Sequence, residues 1–237
     1  MLKAVFFDLD GTLLPLNEDL FIKVYFKQLA KRLCPLGYEP NKLIDAIWNG
    51  TKLMMKNDGS KTNEEVFWSY FKECYGDESI KDKEYIDSFY TNEFKETKNV
   101  CEDNPYVKDI IKFCKENDLI VVLSTNPIFP KQGTLTRMSY LDLKESDFDY
   151  VTTYEESRYC KPNPMYFKSL LEKFNLKPEE VLVFGNNTYE DGDCSKACNM
   201  KCYMVGDYII KSDKAKNEYE HIHMKEIINT IKKYLHL

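Results

Sequence analysis

The 237-residue chain has no Cys-x-x-Cys pair, no basic excess and no internal repeat or low-complexity segment. Nor does any apolar run approach the roughly 20 residues that a membrane helix needs. Each absence removes a class of protein. A formal net charge of -6 argues against nucleic acid or an anionic membrane as partner. Eight cysteines without metal-type spacing read as free thiols rather than a disulfide framework. Cys194, Cys198 and Cys202 fall four residues apart, but no histidine or further thiol pairs with them, so they read as small buried side chains. The apolar start, Met1 to Phe7, is too short for a signal peptide and is ended by Asp8, so a cytoplasmic protein is expected.

What is present is an ordinary globular composition, 43% hydrophobic and 30% charged. Short apolar or β-branched runs read as buried parallel strands: Ala4 to Phe7, Leu119 to Leu123, Tyr150 to Thr153, Val181 to Phe184 and Cys202 to Val205. Helical spacing links Val107, Ile110, Ile111 and Cys114, and again Tyr166, Leu170, Leu171 and Phe174. Alternating strand and helix predicts an α/β fold with a doubly wound, Rossmann-like parallel sheet. About a hundred residues separate the first strand from the second, far more than one crossover requires. Four amphipathic patterns fill that interval: Leu20, Val24, Gln28 and Leu29; Ile44, Ile47, Trp48 and Leu53; Val66, Phe67, Tyr70 and Phe71; Tyr85, Ile86, Phe89 and Tyr90. They predict a helical cap domain over residues 15–102, seated on a core of residues 1–14 and 103–237. The tail carries Ile227, Ile228, Ile231 and Leu235 at helical spacing, with His221 and His223 expected in a solvated loop before it.

Ligands of doubly wound sheets bind beyond the carboxyl ends of the strands, so polar residues there carry the function. Asp8 follows the first strand, Asp10 sits two residues on, Gly11 permits a tight turn and Thr12 can bond back into the loop. Two carboxylates this close call for a cation, and hard oxygen ligands near a phosphate favour Mg²⁺. The second strand ends in Ser124-Thr125-Asn126-Pro127, which suits phosphate oxygens or a helix cap. Lys161, set between Cys160 and Pro162, suits a solvated charge or a cation aimed at phosphate. Gly185-Asn186-Asn187 through Glu190-Asp191 gathers oxygen-bearing side chains after the fourth strand.

In this order the four segments resemble the four motifs of the haloacid dehalogenase-like hydrolases, over nearly the whole chain. The position of the helical insert resembles the subfamily with a cap between the first and second motifs. The resemblance implies a sheet order of 5-4-1-2-3 and a magnesium-dependent phosphatase acting on a small phosphorylated metabolite. By the same resemblance Asp8 is the nucleophile and Asp10 the acid and base. Thr125, Asn126 and Lys161 would hold the transferring phosphoryl, and Asp8, Asp10, Asn186 and Asp191 would hold the metal. One departure stands out: the fourth motif usually begins Gly-Asp, and Asn186 occupies that place. A weaker metal site is expected, with Asn186 a direct ligand and Asp191 acting through a water or a neighbour. Asp10 disfavours dehalogenase chemistry. A phosphosugar mutase, a phosphonate hydrolase using a cap lysine and a non-catalytic phosphate sensor are the alternatives, and oligomeric state is left open. Trp48, Trp68 and Phe67 could line a pocket or fill a core.

Overall fold

The computed structural model describes all residues, Met1–Leu237. Six parallel strands form one sheet: β1 (Ala4–Phe7), β2 (Ile120–Leu123), β3 (Tyr150–Val151), β4 (Val181–Gly185), β5 (Lys201–Val205) and β6 (His221–Ile222). Their spatial order is β3-β2-β1-β4-β5-β6. This is the expected 5-4-1-2-3 order with one strand added at the edge. The expected loop at His221 is therefore corrected: His221 and Ile222 pair with Met204 and Val205. A two-residue edge strand carries too little periodicity to be read from sequence.

The strands alternate their side chains between two apolar layers, as a sheet buried on both faces must. On one face Val5, Phe7, Val121, Leu123, Leu182 and Phe184 belong to a core of 40 buried residues. That core takes in Ile110 and Cys114 of α6 (Val107–Glu116) and Ile227 and Ile231 of α10 (Ile227–Leu235). On the other face Ala4, Phe6, Val122 and Val183 meet Phe167 and Leu170 of α8 (Met165–Phe174) and Cys194 of α9 (Cys194–Lys196). Cys198 and Cys202 lie in the same layer. All eight cysteines are free thiols, so these three are packing residues.

Between β1 and β2 the chain forms α1 (Glu18–Leu33), α2 (Pro40–Met55), α3 (Asn63–Tyr75), α4 (Glu78–Lys81), α5 (Lys83–Phe89) and a 3₁₀ stretch, Glu93–Val100. Asn17 caps α1 by accepting from the Leu20 N–H, and Thr62 with Glu65 forms a capping box on α3. Two of the predicted faces are corrected. In α1 the buried stripe is Phe21, Tyr25, Leu29 and Leu33, one residue round from the Leu20-Val24-Gln28 pattern, and Leu20 is exposed. In α2 it is Leu43, Ala46, Gly50 and Met54, while Trp48 and Leu53 are exposed. The reason in α2 is small-residue packing: a Cβ on Gly50 would lie 2.7 Å from the Phe67 ring, so α2 meets α3 closely at its glycine. No helix is long and apolar enough to cross a membrane.

Candidate active site

The chain runs from β1 outward to β2 and β3, then returns to lay β4 on the other side of β1. The strand order thus reverses between β1 and β4, and that switch point is where an open α/β sheet forms its ligand crevice. Phe7 pairs with Phe184, and the Asp8 N–H donates to the Phe184 carbonyl at 2.9 Å. The acidic turn after β1 therefore stands beside the turn after β4. Gly11 makes the first turn possible. Its φ is +76°, and a Cβ there would lie 2.0 Å from the Asn186 side-chain nitrogen. Gly185 has the same role opposite, since a Cβ would meet the Asp191 carboxyl at 2.3 Å.

Lys161 is the centre of the site. Its Nζ donates to Asp8 Oδ1 at 2.8 Å and to Asp191 Oδ1 at 2.6 Å, and all three side chains are buried. Burial works against the lysine's charge, but Asp191 and Asp8 outweigh it and hold the ammonium well above its usual range. Asp8 accepts a second bond from the Thr12 hydroxyl at 3.2 Å. Burial, offset by Lys161 and reinforced by Asp191, pushes the Asp8 carboxyl up to about 7. The main-chain N–H groups of Leu9, Asp10, Thr125 and Asn126 have no acceptor within the protein. Unpaired amides gathered at a turn make a concavity suited to an anion.

The predicted residues divide by what their side chains already do. The Thr125 carbonyl accepts from Thr152 and Tyr166, and its residue lines the same cavity as Asp8. The Asn126 carboxamide is engaged with the protein. Its Oδ1 accepts from the Lys161 N–H, and its Nδ2 donates to the Lys161 carbonyl and to Glu190. Only its main-chain N–H remains available. Asp191 is saturated too, since its Oδ2 accepts from the Asn186 and Asn187 N–H groups while Oδ1 holds Lys161. Asn187 caps the following turn through Tyr189 and Glu190. Asn186 donates through Nδ2 to the Tyr208 carbonyl at 2.8 Å, which leaves its Oδ1 unused.

One residue escaped the sequence reading. Arg137 on α7 (Lys131–Ser139) is 1% exposed, and its Nη1 donates to Asp10 Oδ2 at 2.6 Å. Its guanidinium lies 4.3 Å from the Phe129 ring centre and its Nη2 bonds the Thr134 hydroxyl. The signal was faint, an arginine among threonines in a helix with little apolar periodicity.

The residues fit a hard divalent cation. Asp8, Asp10, Glu190 and Asp191 bring four carboxylates to the site against two cations, Lys161 and Arg137. Burial raises Asp10 above the usual carboxylate range against the pull of Arg137 and Lys161, and raises Glu190 to about 7 against Lys161, so a cation beside them would favour their charged forms. Asp10 Oδ1 is buried without a partner. No three acidic, histidine or cysteine side chains form a cage by themselves, so an amide or main-chain oxygen must complete any coordination shell.

A buried carboxylate held by a buried lysine, beside unpaired main-chain amides at the switch point of a doubly wound sheet, suits the handling of a phosphoryl group. The chain belongs to the haloacid dehalogenase-like hydrolase family, whose model matches residues 5–205. It is 25% identical over 189 residues to a phosphorylated carbohydrates phosphatase of Thermotoga maritima, covering 77% of this chain and 76% of that one. It is 24% identical over 197 residues to the pyrophosphatase PpaX of Bacillus cereus, covering 80% and 76%. The solved 2-haloacid dehalogenase of Pseudomonas syringae matches 99% of this chain and all of that one with a TM-score of 0.61. At 16% identity that likeness speaks for the fold alone.

Proposed function

We propose that the protein is a Mg²⁺-dependent phosphatase that hydrolyses a small phosphorylated metabolite through an aspartyl-phosphate at Asp8. Residues 15–102 serve as the cap and residues 1–14 with 103–237 as the catalytic core. The observation that carries this reading is the Asp8 carboxylate, buried 2.8 Å from Lys161, with main-chain N–H groups after β1 and β2 left unpaired. Asp8 attacks phosphorus, forming the new P–O bond as the bond to the leaving oxygen breaks. Asp10 gives that oxygen its proton, then takes one from the water that cleaves the acyl phosphate and frees Asp8 and inorganic phosphate. Lys161 and the N–H groups of Leu9, Asp10 and Asn126 face the phosphoryl oxygens, where charge is spread in the transition state. The Asp8 carboxylate, the Asp10 carbonyl and Asn186 Oδ1 would hold Mg²⁺, which supplies countercharge to those oxygens when bound. Asp191 aligns Lys161 and the Asn186 turn instead of ligating.

The phosphonate alternative loses support because no lysine of residues 15–102 lines the cavity. The same absence weighs against a mutase, which must hold a second phosphate. Release of phosphate from a panel of phosphomonoesters with Mg²⁺ tests the reading. Binding of phosphate with no turnover of any ester would favour the sensor.

A further inference from the structure

The catalytic residues open onto a single cavity of about 700 Å³ that runs into the helical insertion. That volume suits a ligand much larger than phosphate. Its far wall is apolar: Phe21, Phe26, Ile47, Trp48, Phe67 and Phe71 line it. Two pairs of polar groups there are closed on each other, while Asp87 Oδ1 is buried without a partner. Trp68 Nε1 donates to the Tyr154 hydroxyl at 3.1 Å, and the Tyr25 and Tyr90 hydroxyls bond each other at 3.3 Å. No lysine, arginine or histidine of the insertion reaches the cavity, whereas Glu18, Asp19 and Asp87 do. The lining cations, Lys161 and Arg137, are already held by carboxylates of the core.

A second phosphate or a carboxylate would meet no free countercharge in such a chamber, only the like charges of Glu18, Asp19 and Asp87. An apolar body would displace water from the aromatic walls. We propose that this chamber is the leaving-group site and that the preferred substrates are phosphomonoesters of apolar alcohols without a further negative charge. The proposal rests on the phosphatase reading. It separates this chain from pyrophosphate and from phosphorylated carbohydrates, the compounds named for its relatives.

The test is a homologous series of n-alkyl phosphates, ethyl to octyl, assayed with Mg²⁺ beside pyrophosphate, phosphoglycolate and glucose 6-phosphate. Leaving-group basicity is nearly constant along the series, so chain length reports burial. Expected is a rise in kcat/KM of about fourfold per methylene until the chamber is filled, ending above all three polar compounds. A flat series, or a polar compound surpassing octyl phosphate, overturns the proposal. Should no ester be hydrolysed, the phosphatase reading falls, and calorimetry with n-alkylphosphonates decides the chamber alone. Affinity that grows with chain length upholds it, and affinity independent of length overturns it.

Discussion

Arg137→Met is the most informative single perturbation of this site. Methionine keeps much of the arginine's buried volume and its contact with Phe129 while removing the 2.6 Å bond to Asp10. Breaking a buried ion pair costs roughly 3–5 kcal/mol, because the partner is left charged in a poor solvent. The Asp10 side chain keeps 30% exposure toward the cavity, so about 2–3 kcal/mol is the fitting range here. The variant should therefore fold with a lowered melting temperature. The kinetic effect should be larger than the stability effect suggests, since Arg137 fixes one Asp10 oxygen and leaves Oδ1 without any protein partner. General acid help is worth about 10²–10⁴ in rate, and a disordered acid forfeits part of it. The assay that separates this from a general loss of structure is leaving-group dependence. Nitrophenyl phosphate departs as a stable anion and needs little protonation, whereas an alkyl phosphate needs a full proton. Arg137→Met should lower kcat for the alkyl ester at least tenfold more than for the nitrophenyl ester. Equal losses on both esters would refute the idea that Arg137 positions the acid.

Other outcomes follow from the same geometry. Asp8→Asn should abolish turnover while the circular dichroism spectrum stays unchanged, and residual activity above about 10⁻³ of the parent would sink the nucleophile assignment. Lys161→Met leaves Asp8 and Asp191 buried together without their shared cation, and should cost roughly 3–5 kcal/mol in urea unfolding; adding Asp191→Asn to it should recover part of that loss. Asp8 and Glu190 are both raised to about 7 by burial, so between pH 5 and 7 the metal-free native state holds protons that the unfolded chain has released. Metal-free stability should accordingly fall as pH rises through that window, by on the order of a few kcal/mol. Saturating Mg²⁺ should shrink or reverse the fall, because it favours the charged carboxylates. Urea midpoints with EDTA and with Mg²⁺ at pH 5 and 7.5 check this, and metal-free stability that climbs with pH contradicts it.

The sheet was legible because its strands are buried on both faces and read as unbroken apolar runs. Asp8 and Asp10 were legible for a related reason, as charges set against the end of such a run. The helical insertion was legible as helices but not as faces. With apolar residues on more than one side of α1 and α2, periodicity cannot say which stripe is inward, and in α2 Gly50 decided it through its close approach to Phe67. Trp48 shows the consequence, since it is partly exposed and also lines the cavity. Arg137 was hidden because its partner lies 127 residues away and nothing local marks a buried guanidinium. Asn126 stands out in the sequence as a polar residue after the second strand, but only a structure reveals that its carboxamide clamps Lys161 and Glu190 and leaves its main-chain N–H unpaired.

The asparagine in the fourth motif acquires a physical reason from its neighbours. An aspartate at 186 would bring a fifth carboxylate to a site whose four are already two charges in excess of Lys161 and Arg137. It would also set a carboxylate oxygen against the Tyr208 carbonyl, where Nδ2 now donates at 2.8 Å. The amide thus ties the turn after β4 to the loop after β5 and leaves a neutral oxygen without a protein partner. Charge that the family pattern places on this turn is carried here by Asp191, buried behind it and bound to both Asn186 and Lys161. On the proposed mechanism the countercharge to a bound Mg²⁺ would fall chiefly on Asp8, the group assigned to attack phosphorus. In such an arrangement, occupancy of the metal site and readiness of the nucleophile are set by one carboxylate.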